Sequence, residues 1–223
     1  MRLPTLKRFV MDYLLCLFEA GLMLVAWGDV RGFLSNGARA GMIIVLLIIP
    51  LVTIWGQSER VNRGVRPTPG QWRTLAFLEL GFFISYWVAP YFDRHNILVL
   101  PESNVLRYTG LLLFVSGVTI RTWAFIYLGR FFSIFLTIQK GHRLVTDNIY
   151  KYVRHPSYTG LLVRSMGAAL VFRSIFGMFA WLALLIFLLV RIRREEKVLT
   201  AEFGAEWDEY KRRTRARLVP RVY

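Results

Sequence analysis

A single cysteine, Cys16, lies inside an apolar run. That excludes an internal disulfide and any cluster of thiolate ligands. Histidine is almost as scarce: His95, His142 and His155 are scattered and do not combine with acids at metal-ligand spacing, so no metal is expected. No Gly-x-Gly-x-x-Gly follows a strand pattern, and no Gly-x-Ser-x-Gly elbow occurs. A Rossmann nucleotide site and a serine-hydrolase site are therefore not indicated. Acidic residues are few, 14 against 29 basic, for a formal net charge of +15. Such a charge also fits nucleic-acid binding. Here the basic residues sit between apolar runs, as in the inside-facing loops of a membrane protein, and no nucleic-acid partner is expected.

Apolar length is what the chain has in excess. Of its 223 residues, 55% are hydrophobic, above the range of ordinary soluble domains. Six apolar segments are expected at about 10–28, 38–56, 72–92, 108–128, 158–172 and 174–190. The fold class is all-α: a multi-pass transmembrane bundle of about six helices. The fifth segment is short for a full span, so it either tilts or forms a tight hairpin with the sixth around Arg173-Ser174. Arg2, Lys7 and Arg8 before the first run resemble a secretory signal. Asp12 and Glu19 interrupt that run, and a retained first helix is expected.

Charge tests the segment count. With the N-terminus inside, the inside connections and tail hold 22 basic residues, whereas the outside connections hold 5: Arg31, Arg39, Arg94, Arg107 and Arg173. This asymmetry places both termini in the cytosol, and an odd number of spans would spoil it. Two inside stretches stand out: the long polar connection from Gly129 to Pro156, and the tail after Arg191. In the tail, Leu199, Phe203, Trp207 and Tyr210 recur at helical spacing with charges between them. It reads as an amphipathic helix that lies on the membrane or caps a pocket. Residues 1–107 are expected to shape a lipid-side portal, and residues 108–223 to form the catalytic core.

Two clusters carry polar chemistry. In Tyr150-Lys151-Tyr152-Val153-Arg154-His155-Pro156-Ser157-Tyr158-Thr159-Gly160, Pro156 suits the first turn of a helix. The amides of that turn favour a carboxylate, and His155 and Tyr158 can share a face. The plain alternative is an interfacial helix start with a snorkelling Arg154 and belt tyrosines. In Arg191-Ile192-Arg193-Arg194-Glu195-Glu196, Arg191 and Glu195 share a helix face. The alternative is an exposed ion pair of little energetic weight. Glu195 can instead accept hydrogen bonds from a ribose or an amine.

These clusters join in one ordered pattern: Gln139, His142-Arg143-Leu144-Val145, Tyr150, Arg154 to Gly160, Arg191, Glu195-Glu196, Phe203-Gly204, Tyr210 and Pro220. The pattern resembles the isoprenylcysteine carboxyl methyltransferase family and the related phospholipid methyltransferases, over about residues 128–220. The resemblance implies a site for S-adenosylmethionine, leaving S-adenosylhomocysteine as product, enclosed by the cytosolic loop and the tail helix. It assigns cofactor contacts to Gln139, His142, Arg143, Leu144, Val145, Tyr150, His155, Pro156, Ser157, Tyr158 and Glu195, and a substrate contact to Arg191. The implied acceptor is the carboxylate of a prenylated cysteine, reached from the bilayer. One departure is Asp147-Asn148, where family members often carry a glycine-proline turn. Asn148 tolerates a left-handed conformation, so the turn is expected to survive.

Glu19, Glu79, Arg121 and Arg164 lie within apolar segments. Each costs about 2.5–3.5 kcal/mol at mid-bilayer, so each should face the protein interior. Glu79, Arg121 and Arg164 fall at similar depth and are expected either to line a substrate pocket with Arg191 or to form structural ion pairs. Arg164 aligns with Gly160 and Gly167, a small-residue packing stripe, which points it at a neighbouring helix. The rival readings are methylation of a phospholipid amine or a thiol, a nicotinamide-dependent sterol reductase, and a non-enzymatic transporter or scaffold. The acidic pair favours methyl transfer over the reductase.

The topology is open to direct test. Single cysteines at Asn36, Asn104 and Ser58 should label from outside, outside and inside respectively. Labelling of position 58 by an impermeant reagent added outside would overturn the assignment.

Overall fold

The computed structural model describes residues 3–56, 76–77, 80–81, 83–129 and 144–220. The described residues form helices joined by short turns, with one isolated backbone pairing between Val99 and Ser174. Helix α1 runs Leu3–Trp27 and stops at Gly28, whose φ is 76°. A short α2, Val30–Leu34, leads to α3, Gly37–Gly56. The Asn36 side chain starts α3 by accepting from the amides of Ala38 and Arg39, at 3.0 and 3.3 Å. A π-helical turn, Ile84–Val88, runs into α4, Ala89–His95, which closes on a left-handed Asn96. Helix α5 spans Asn104–Leu128, with Ser103 as its N-cap. Helices α6, Pro156–Val171, and α7, Ile175–Phe203, follow, and α8 covers Ala205–Arg213.

Five of the six apolar segments fall within α1, α3, α5, α6 and α7. The segment at 72–92 lies partly outside the described residues. Three described helices are long and apolar enough to cross a membrane: Phe9–Trp27, Asn104–Leu128 and Ile175–Phe203. Of the two alternatives for the short fifth segment, the structure has the hairpin with the sixth. It turns at Arg173, held at φ 51°, and Ser174 caps α7 through the Gly177 amide at 3.0 Å. The tail differs from expectation. The membrane helix does not end near Arg191 but continues to Phe203, and the break comes at Gly204, with φ 48°. At 29 residues α7 is about 43 Å long. That exceeds the ~30 Å hydrocarbon core, so its charged end, from Arg191 to Lys197, projects beyond it.

Helices α5 and α6 pack antiparallel through paired glycines. A Cβ on Gly110 would stand 2.8 Å from the Gly167 carbonyl, and one on Gly160 would stand 2.6 Å from both the Gly117 carbonyl and the Arg121 amide. Gly117 and Gly167 likewise face the backbone of Arg164 and Phe114. At each of these glycines the nearest atom across the seam is backbone, so the two backbones approach closely. This is the stripe expected at Gly160 and Gly167. Its partners on α5 are Gly110 and Gly117.

One end of the bundle is tied by charge. The Asp93 side chain is fully buried. It accepts from Arg107 at 2.6 and 2.9 Å and from Arg173 at 2.6 and 2.8 Å, with Arg39 at 3.9 Å. Arg107 also bonds the Val171 carbonyl at 2.6 Å and Glu102 at 2.7 Å. Hydrogen bonding from Arg107 holds the Glu102 carboxyl below its usual range. The cluster joins α3, α4, α5 and the α6–α7 turn. Arg173 therefore adopts its left-handed backbone because Asp93 and the Leu100 carbonyl, at 2.9 Å, fix its side chain.

Gly117→Ala should lower stability in detergent by about 2–3 kcal/mol or more, since the obstructing atoms are backbone and cannot swing away. Gly21→Ala has nothing within 4 Å of its new Cβ. It should be neutral or stabilising by up to about 1 kcal/mol. Denaturant unfolding of the two variants gives the comparison, and equal effects would refute the close seam.

Candidate active site

At the opposite end, the chain re-enters the described structure at Leu144. Asn148 takes the expected left-handed conformation, φ 52°, and opens a 3-10 turn, Asn148–Lys151. The turn buries Ile149 and Tyr150 against Ala124 near the end of α5, with Val145 and Leu128 packed beside them. The Tyr150 hydroxyl donates to the Ala124 carbonyl at 3.3 Å. The Tyr150 carbonyl accepts from the Tyr210 hydroxyl at 2.7 Å. Burial pushes both phenols above their usual range, so both remain hydrogen-bond donors at neutral pH. Through Tyr210, buried like Trp207, α8 is bonded to this turn.

Helix α6 begins at Pro156, with His155 before it. The His155 ring stacks on Tyr158, centroids 5.7 Å apart and planes 11° apart, so the two share a face as their spacing implies. The Tyr158 hydroxyl reaches the projecting end of α7. It donates to Glu195 Oε2 at 2.7 Å and accepts from Arg191 Nε at 2.8 Å. Arg191 is buried. The exposed-pair alternative for Arg191 and Glu195 is thus overturned: among the described residues no direct ion pair joins them, and Tyr158 stands between.

The second member of the acidic pair has a different environment. Glu196 Oε1 accepts from Arg154 Nε at 2.9 Å and lies 3.4 Å from His155 Nε2. Its Oε2 accepts from Arg217 Nε and Nη2 at 3.0 and 2.9 Å. Arg154 also donates to the carbonyls of Thr214 and Arg215, at 2.6 and 2.8 Å. It is buried, which overturns the snorkelling alternative: a guanidinium with three acceptors inside the protein has no cause to reach for the interface. Residues 214–218 form a strap beside the start of α6. The amides of Arg154 and His155 donate to the carbonyls of Ala216 and Arg217, at 3.0 and 2.9 Å. The Thr159 hydroxyl donates to the Leu218 carbonyl at 2.6 Å. Sequence reasoning missed Thr214, Arg217 and the strap.

The structure thus brings together His155, Tyr158, Arg191 and Glu195, with Pro156 and Ser157 in the same first turn of α6; Val145 and Tyr150 pack against Ala124 of α5, and Leu144 is described without a contact to the group. Gln139, His142, Arg143 and Glu79 lie outside the described residues. Arg121 approaches the site, donating to the Ser157 carbonyl at 3.0 Å, with its guanidinium over Phe125. Arg164 points elsewhere. It lies 4.0 Å from Glu19 of α1 and beside Tyr86 and Phe114. It also lines an apolar cavity of about 110 Å³ with Tyr86, Leu161, Trp181 and Leu184. Among the described residues no cluster suited to a metal is present.

Residues 110–201 match the model of the isoprenylcysteine carboxyl methyltransferase (ICMT) family, less than half of the chain. A probable protein-S-isoprenylcysteine O-methyltransferase of Oryza sativa subsp. indica is 33% identical over 114 residues, 50% of this chain and 60% of the relative. The protein-S-isoprenylcysteine O-methyltransferase of Schizosaccharomyces pombe is 32% identical over 117 residues, 49% of this chain and 48% of the relative. That of Mus musculus is 33% identical over 135 residues, 58% and 47%. The chain thus matches about half to three-fifths of the length of these relatives. A solved structure of the eukaryotic intramembrane Ras methyltransferase ICMT aligns with a TM-score of 0.49 at 18% identity, covering 98% of this chain and 93% of that one. The resemblance read from residues 128–220 is borne out by the family match where the two overlap, residues 128–201.

The two acids should separate by their roles. Glu196→Gln leaves Arg154 and Arg217 without their counter-charge and should cost about 3–5 kcal/mol of stability, as for other broken buried pairs. Glu195→Gln leaves the Tyr158 hydroxyl an amide oxygen to bond and should cost about 1 kcal/mol or less. Unfolding in detergent measures both, and a larger loss for Glu195→Gln would overturn the distinction.

Proposed function

We propose that this chain is an integral membrane methyltransferase that transfers a methyl group from S-adenosylmethionine to the carboxylate of a prenylated cysteine or a similar lipid-like acceptor. The carrying observation is the Arg191–Tyr158–Glu195 bridge, which sets a cation and an anion side by side without letting them pair. The similarity to named methyltransferases supports the reaction class. Both termini and the site are proposed to face the cytosol, with about six membrane helices, residues 1–107 shaping the lipid-side portal and residues 108–223 the core.

The residues present fit a cationic nucleoside. Among the described residues Glu195 Oε1 accepts no hydrogen bond, which leaves a carboxylate oxygen for a ribose hydroxyl or an ammonium. Val145, Pro156, Ser157 and Tyr158 would complete its walls, with Leu144 at the rim. Gln139, His142 and Arg143 are proposed as further contacts on the family resemblance alone. His155 Nε2 and the Tyr150 hydroxyl are engaged within the protein, and the two rings would support these walls through their faces. When bound, S-adenosylmethionine supplies an electrophilic methyl group on a sulfonium.

The acceptor carboxylate is ionised at neutral pH, so the chain needs no general base. Its task is placement, which can contribute about 7–11 kcal/mol to lowering the barrier. Arg191 would orient that carboxylate by charge-assisted hydrogen bonds. Tyr158 fixes the guanidinium from the side and limits it to an orienting contact, since a full cage of donors would quench the nucleophile. Arg121, one carbonyl away at Ser157, is proposed as a second cation near the acceptor. The apolar cavity beside Arg164 lies below Tyr158 and Arg191 along α6 and α7, on the side from which a lipid tail would arrive. Arg164 itself serves the Glu19 contact there.

Calorimetry in detergent tests the donor. S-adenosylmethionine or S-adenosylhomocysteine should bind and NADPH should not; the reverse would sink the proposal. Glu195→Gln should then weaken donor binding by the worth of a charge-assisted hydrogen bond, about 1.5–3 kcal/mol. Arg191→Lys should leave donor affinity nearly unchanged while lowering turnover or acceptor affinity, because an ammonium lacks the planar fork.

A further inference from the structure

We infer that Arg217, far along the chain from the family pattern around His155, is a positioning residue for the site, acting through Glu196, His155 and Tyr158. The inference rests on reading that site as the donor and acceptor site. The two oxygens of Glu196 are held from two directions. Oε1 receives the start of α6, through Arg154 at 2.9 Å and His155 at 3.4 Å. Oε2 receives the strap, through both Arg217 nitrogens at 2.9 and 3.0 Å. A carboxylate gripped on one oxygen alone can rotate about its last torsion. Gripped on both, its plane is fixed, and so is the position it offers to the His155 ring.

Backbone contacts reinforce the same register. The carbonyl of Arg217 itself accepts from the His155 amide at 2.9 Å, so the residue holds His155 from the main chain and, through Glu196, from the ring. The next contact is the His155–Tyr158 stack, and the next is the Tyr158 hydroxyl between Arg191 and Glu195. Displacing the ring of His155 therefore displaces the phenol that keeps those two charges apart. Arg217 touches neither of them and is not a catalytic residue. A guanidinium suits the role because its Nε and Nη2 reach one oxygen together, which an ammonium cannot do.

The test uses the full chain in detergent, with Arg217→Gln, Arg217→Lys and, as a control of equal charge change, Arg213→Gln on the exposed end of α8. Arg217→Gln should weaken S-adenosylhomocysteine binding and raise the donor KM about tenfold, the factor of one charge-assisted hydrogen bond, with the acceptor KM changed less than about twofold. Arg217→Lys should recover part of that loss, and Arg213→Gln should match the parent. Parent-like donor binding in Arg217→Gln overturns the inference. So does a parallel loss of donor binding, acceptor binding and melting temperature without recovery by lysine, which marks a stability effect alone. Should Arg217→Gln fail to fold, Arg217→Lys carries the same comparison at a smaller expected loss. If the parent binds neither sulfur nucleoside, the donor reading falls, and hydrogen exchange decides the positioning claim. Faster exchange at the Tyr158 and Thr159 amides than in Arg213→Gln upholds it; unchanged exchange overturns it.

Discussion

The contact on which the molecule depends is the backbone seam between α5 and α6. Gly110 faces Gly167 and Gly117 faces Gly160, so at these positions the two helices meet backbone to backbone. Because the seam has no slack, the ends of both helices are fixed relative to each other. At one end Arg107 of α5 bonds the last carbonyl of α6, that of Val171. At the other, Arg121 of α5 bonds the carbonyl of Ser157 in the first turn of α6, and the Ala124 carbonyl holds Tyr150. The turn that presents His155 and Tyr158 is therefore located by helix packing several turns away. A bulkier residue at Gly117 would move the site as well as the bundle.

Two buried carboxylates play matching parts at the two ends. Asp93 gathers Arg107 and Arg173, with Arg39 close by; Glu196 gathers Arg154, His155 and Arg217. Each ties segments that are distant in sequence, and the loss of either would remove a counter-charge shared by several cations. The first cluster engages three of the five basic residues expected on the outside connections, Arg39, Arg107 and Arg173.

What the sequence disclosed was local. Pro156 marks a helix start, Asn148 accepts a left-handed turn and His155 lies one turn from Tyr158, all within a few residues of backbone geometry. Gly160 and Gly167 showed one side of the seam, yet their partners on α5 lie in an evenly apolar helix where two glycines carry no directional signal. The tail was misread for a related reason: apolar spacing continues from Leu199 to Tyr210, and only Gly204 breaks it. The Arg154–Glu196–Arg217 network left no trace at all. Its members are 42 and 21 residues apart, and no periodicity links residues that meet only through tertiary folding. Glu195 and Glu196, identical in type and adjacent, received opposite roles because successive helix positions are rotated by about 100°.

That rotation, with one phenol, accounts for the chemistry the site can support. Arginine and glutamate four apart on a helix would ordinarily pair across the turn. A direct pair would occupy both groups and leave little field for a ligand. The Tyr158 hydroxyl has one proton and lone pairs, so it can donate to Glu195 and accept from Arg191 at once. Among the described residues the two charges meet through the phenol, with no direct ion pair between them. On the function proposed above, the carboxylate would meet the cationic donor and the guanidinium the anionic acceptor. Two substrates of opposite local charge can then be addressed from one face of one helix, a few ångströms apart, as a direct transfer between them requires.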